Sequence, residues 1–178
     1  FENSFDVILT NPPFGASIEK DYKLSETDRF YDEEKLEEYK ERYGDDCIRQ
    51  INELNTAIDK GQKILDRFEL GKVSGLTEVL FMERCLKLLK PGGRMGIVLP
   101  EGVLNNSNLQ KVRDFFESRA KILLITSIPQ DVFIASGATI KPSLLFFKRF
   151  TDEEKKQYSD TKNKATKLAD KDFESQIK

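Results

Sequence analysis

Four adjacent residues, Asn11, Pro12, Pro13 and Phe14, bring together groups that could do chemistry. Asn11 offers a neutral amide oxygen as an acceptor. The carbonyl of Pro12 is a second acceptor, held by prolines that fix φ and carry no N–H. Asn11 precedes a proline, which keeps it out of the helical region. Phe14 adds an aromatic ring. Two converging acceptors beside a ring match an exocyclic amino group on a flat ring. Its two N–H bonds go to the two oxygens, and the ring lies on Phe14. Holding both hydrogens draws the nitrogen lone pair out of conjugation and aims it at an electrophile.

A turn of this kind needs a fixed platform. Val7-Ile8-Leu9 is a short apolar run that reads as a central strand of a parallel sheet, buried on both faces. Two successive prolines end it. In open α/β sheets ligands bind outside the carboxyl ends of the strands, where Asn11 would stand. Downstream, Thr77 to Leu89 has a helical apolar face. Lys90-Pro91-Gly92-Gly93 then reads as a helix stop, its glycines explained by a C-cap. Arg94 to Pro100 follows as a strand, completing the second half of a βαβ unit. Pro100 to Leu104 closes that strand beside Asn11, so Glu101 either lines the site or sits on its rim. Asn106 or Ser107 caps a helix running to about Arg119. Ile122–Ile128, ended by Pro129, and Ser143–Lys148 read as an antiparallel pair.

Two stretches differ in character. Ser17 to Gly75 is rich in charge, with helical spacing in Tyr39, Tyr43 and Cys47 and again in Ile51, Leu54 and Ile58. It reads as two or three amphipathic helices inserted after the first strand. They are either a DNA- or partner-facing element or, as mixed charge favours, a solvated appendage. Residues 151–178 read as a charged helix start or linker leading to a further domain. Residues 1–150 form the domain proper.

The 178 residues are 38% apolar and 34% charged, with net charge −2 and an isoelectric point near 5.5. That balance argues against a free-standing nucleic-acid binder, which carries a basic footprint. There is no histidine, which excludes a Ser-His-Asp triad and histidine metal sites. Cys47 and Cys85 lack CxxC spacing, which argues against structural zinc and fits reduced intracellular thiols. No apolar stretch approaches membrane-spanning length. Phe1 is not a natural start, which leads us to expect a longer parent protein.

Asn-Pro-Pro-Phe after a strand resembles the catalytic loop of S-adenosylmethionine-dependent N6-adenine DNA methyltransferases, [Asn/Asp/Ser]-Pro-Pro-[Tyr/Phe]. Leu88-Leu89-Lys90-Pro91-Gly92-Gly93-Arg94 before a strand is also common in that family. The resemblance is closest to the modification subunits of type I restriction-modification systems and to related fused enzymes. It implies an α/β fold, the catalytic half of a Rossmann-like class I methyltransferase sheet: strands four to seven, with a terminal antiparallel pair. Such a sheet of about four strands leaves an apolar edge open to self-association.

The resemblance further implies roles. Asn11, Pro12, Pro13 and Phe14 would be catalytic. Phe14 and Phe133 would stack a flipped adenine, although Phe133 reads equally as a core residue of a closing loop. S-adenosylmethionine would be the cofactor, touched only at its edge by Asn11, because no glycine-rich turn accompanies the loop. Metal would not be needed. DNA, specificity subunits and restriction subunits would be partners, in the cytoplasm, with no membrane. The isolated residues would be inactive. Two other readings stay open: a glutamine or RNA methyltransferase using the same loop, and a non-catalytic DNA-associated structural module.

Overall fold

The computed structural model describes residues 2–132 and 140–176. Its centre is a mixed four-stranded sheet built from β1 (Phe5–Thr10), β2 (Leu89–Pro100), β3 (Ala120–Ser127) and β4 (Pro142–Arg149). The spatial order is β1-β2-β4-β3. β1 and β2 run parallel, with Val7 opposite Arg94 and Thr10 opposite Ile97. β4 is antiparallel to both of its neighbours and separates β2 from β3. Together with the helices around it, this is the α/β sheet with a terminal antiparallel pair that the sequence predicts.

One face of the sheet carries the core. Met95, Ile97 and Leu99 alternate along β2, as period-two side chains must, and all three are buried. Leu145 and Phe147 of β4 join them. α3 (Thr77–Leu88) contributes Val79, Met82 and Leu86, and α5 (Gln110–Glu117) contributes Val112 and Phe116. Both cysteines are free and buried, and burial pushes the Cys85 thiol upward.

The opposite face is uncovered. Val7 and Leu9 are exposed, Leu9 to 75%, and β1 pairs on one side only. The expectation of a strand buried on both faces is therefore corrected. Only Ile8 packs against the core. β1 is an edge strand among the described residues, and no described helix lies over its outer side chains.

The turn after α3 also differs. Leu89 closes the helix in an extended conformation, so no glycine caps it. The Arg149 guanidinium does so instead. It donates to the Leu86 carbonyl at 3.2 Å and to the Leu89 carbonyl, placing a cation where the helix dipole is negative. Lys90 to Gly93 belongs to β2 as a bulge: β1 advances from Phe5 to Val7 while β2 advances from Leu89 to Arg94. Gly92 takes φ +81° there. A local sequence pattern could not show this, because the capping cation comes from the last strand.

Pro100 ends β2, and Glu101–Asn105 forms a short helix, α4, rather than continuing the strand. Asn106 caps the next turn through Asn108 N–H at 2.9 Å, and α5 ends at Glu117. The insertion holds two α-helices, α1 (Glu33–Tyr43) and α2 (Asp45–Asp59), with 3-10 turns on either side. Phe30, Tyr39 and Tyr43 form a ring cluster with centroids 5.6 and 5.8 Å apart. The Arg29 guanidinium binds Glu26 and Asp59, and with the Tyr31 hydroxyl it holds the Glu26 carboxyl at about 2. Finally, α6 (Asp152–Gln176) is a continuous helix. Its start is a capping box: Glu154 N–H donates to Thr151 Oγ1 at 3.3 Å, and Thr151 N–H to Glu154 Oε2 at 3.0 Å.

Candidate active site

The stretch from Asn11 to Phe14 leaves the carboxyl end of β1, next to the carboxyl end of the parallel β2. Pro12 is buried and Phe14 half-buried, whereas Asn11 is exposed. Among the described residues, neither the Asn11 carboxamide nor the Pro12 carbonyl has a hydrogen-bond partner. The two acceptors that the sequence singles out thus have no partner among the described residues, on a loop whose anchor is buried.

The loop is tied to the amino end of α3. Thr77 Oγ1 lies 3.1 Å from the Pro13 carbonyl and 3.2 Å from the Ala16 carbonyl. Thr77 N–H donates to Ala16 at 3.0 Å, and Ile18 N–H donates to Gly75 at 2.9 Å. Gly75 permits this close approach. A Cβ there would stand 2.7 Å from the Ile18 carbonyl, a contact that only backbone movement could relieve. In the sequence Thr77 reads only as a helix start and Gly75 only as a boundary. The T-E pair opening an apolar helix gave no sign of a partner more than sixty residues upstream.

A second tie lies at the end of β2. Glu101 N–H donates to the Lys141 carbonyl at 3.0 Å, and the Glu101 carboxylate pairs with Lys141 Nζ at 3.2 Å. Glu101 is therefore engaged by the segment entering β4. The same segment reaches the loop: a Cβ on Gly15 would come within 4.0 Å of Ile140 Cδ1. Phe133, the other aromatic named for base stacking, lies outside the described residues.

The sequence profile of the family described as N-6 DNA methylase matches residues 54–176. The chain belongs to the N-6 DNA methylase family. The profile match begins after the Asn11 loop, so the N-6 DNA methylase assignment stands independently of the four residues that first pointed to it. None of the curated proteins matches the chain in sequence.

Solved structures agree on the fold. A chain from work on complex assembly and conformational transition of a type I R-M system is 26% identical, with a TM-score of 0.52 over 83% of this chain and 22% of its own length. A protein assigned as the modification subunit of a type I restriction enzyme from Vibrio vulnificus is 23% identical, with a TM-score of 0.52 over 83% of this chain and 23% of its own. A protein assigned as a class I S-adenosylmethionine-dependent methyltransferase from Listeria monocytogenes is 17% identical, with a TM-score of 0.51 over 84% and 33%. The chain thus spans between about a fifth and a third of the chains it resembles.

Proposed function

We propose that this chain is the acceptor-binding half of an adenine-N6 DNA methyltransferase of the restriction-modification kind. The observation that carries the reading is the pair of acceptors, Asn11 Oδ1 and the Pro12 carbonyl, without partners among the described residues, on a buried-proline loop at the carboxyl end of a parallel strand. In this reading a flipped adenine, extruded at a cost of about a few kcal/mol, presents N6 to both acceptors. Its ring stacks on Phe14, a contact worth about 1–3 kcal/mol, with Phe133 as the second aromatic. Pro13 keeps the turn rigid. The two hydrogen bonds localise the lone pair on N6, and most of the rate comes from this alignment.

S-adenosylmethionine is the methyl donor that this reading implies, and it supplies the electrophilic methyl group. The described residues fit the acceptor side of that reaction and do not make a cofactor pocket. Asn11 stands on an open sheet edge, and no described strand pairs with the outer side of β1. Asn11 would touch the cofactor only at its edge. We accordingly expect residues 1–178 alone to be inactive. DNA and the specificity and restriction subunits of a type I assembly would be partners of the whole protein, acting in the cytoplasm.

The decisive test incubates the full-length protein with a radiolabelled methyl donor and separately with duplex DNA, RNA and a glutamine-bearing peptide. Label recovered as N6-methyladenine from DNA is the expected result. Label on RNA or on the peptide amide would replace this reading with the corresponding methyltransferase. A further consequence concerns the 178 residues by themselves. The exposed apolar edge at Val7 and Leu9 should pair with another copy. Small-angle scattering should show a mass that rises with concentration, and a compact monomer at high concentration would refute it.

A further inference from the structure

We propose that Thr77 is a positioning residue for methyl transfer, setting the orientation of the Asn11–Phe14 loop from the first turn of α3. This rests on the reading of that loop as the acceptor site. Between Asn11 and Phe14 the backbone has few free torsions, because Pro12 and Pro13 have fixed φ. What remains is chiefly the rotation that points each proline carbonyl. The Pro13 carbonyl faces Thr77 Oγ1 at 3.1 Å. A bond there fixes the Pro13–Phe14 peptide plane, and with it the direction of the Phe14 ring and of the preceding Pro12 carbonyl.

Proton counting supports the assignment. A hydroxyl has one hydrogen to donate. The Ala16 carbonyl, 3.2 Å from the same oxygen, already receives Thr77 N–H at 3.0 Å. The Glu78 carboxylate lies farther off, at 3.4 Å, so the Pro13 carbonyl is the nearest acceptor for the hydroxyl proton, and it accepts no other hydrogen bond among the described residues. The hydroxyl does not cap its own helix. Leu76 occupies the N-cap of α3, and no side chain caps the helix there. The Pro13 contact is solvent-exposed, so water can replace the hydroxyl when it is removed. The contact therefore contributes little to overall stability, and its effect falls on the loop.

The test compares Thr77→Val and Thr77→Ser in the full-length enzyme. Thr77→Val should lower kcat by a factor on the order of 10–100, as for a misplacement of about 1 Å in a reacting group. The dissociation constant for S-adenosylmethionine and the thermal midpoint should stay unchanged. Amide hydrogen exchange at residues 14–18 should accelerate without any cofactor present. Thr77→Ser, which restores the hydroxyl, should restore both kcat and the exchange pattern. If Thr77→Val folds poorly, Thr77→Ala takes its place, since alanine is well tolerated in a first helical turn.

Unchanged kcat and exchange in the hydroxyl-free variant would overturn the proposal. So would equal impairment of Thr77→Ser, which would point to packing by the methyl-bearing side chain. An Asn11→Ala control separates the two levels. An active Asn11→Ala enzyme refutes the acceptor-site reading itself. An inactive one beside a fully active Thr77→Val enzyme refutes only the role of Thr77.

Discussion

Replacing Asn11 by alanine in the full-length enzyme is expected to lower DNA methylation about 10²–10³-fold or more, the scale of losing one preorganised polar group at a reacting centre. N6 of adenine is a poor nucleophile because its lone pair is delocalised into the ring. As the methyl group adds, positive charge develops on N6 and its hydrogens become stronger donors. Asn11 Oδ1 and the Pro12 carbonyl are both unpartnered among the described residues, so neither must break another bond to engage the amino group. In the proposed reading their preorganisation would therefore act on the transition state more than on the ground state. The expected pattern is a collapse of kcat with affinity for S-adenosylmethionine largely intact, measured by equilibrium titration. Asn11→Asp keeps an acceptor at the same place and should retain part of the activity. Wild-type turnover by Asn11→Ala would remove the acceptor-site assignment altogether.

The loop was legible in the sequence because its signals are local: an apolar run, two prolines and an aromatic residue within ten positions. The sheet was legible for a similar reason. Met95, Ile97 and Leu99 carry the alternation of a one-faced core, and the short link between β3 and β4 fits their antiparallel pairing. Long-range matters were not legible. Apolar content alone made β1 look central, but whether Leu9 is covered depends on neighbours that a run of three residues does not specify. The glycines after α3 carried the pattern of a helix stop, yet the stop is provided by Arg149. The loop is held by Thr77 and Gly75, whose residue types occur in any helix start. The charged insertion reads either as a DNA- or partner-facing element or as a solvated appendage, and neither reading shows how it is attached. Its last turns are in fact bolted to the core by a residue that the composition hides among many similar ones.

That residue is Glu83, and its replacement by alanine should cost about 2–4 kcal/mol of stability. Its side chain is fully buried within α3. Its two oxygens accept the backbone N–H groups of Glu69 at 3.0 Å and Leu70 at 2.9 Å, which open the last 3-10 turn of the insertion. Lys87 Nζ stands 2.7 Å away and balances the charge. The Glu69 carboxylate in turn pairs with Arg119, just past α5, at 2.9 Å, so the start of this turn is tied both to α3 and to the segment after α5. The alanine variant leaves two donors unpaired, each costing about 1–3 kcal/mol when buried, in place of any single weak surface contact. Lys87→Ala removes a half-exposed partner and should cost about 1 kcal/mol or less. Glu83→Gln keeps one acceptor but turns an amide hydrogen toward the second N–H, and should fall between the two. Urea unfolding midpoints at unchanged slope would give this order. If Glu83→Ala instead matched Lys87→Ala, the carboxylate would be a bystander, and the insertion would be held by Leu70 and its apolar neighbours alone.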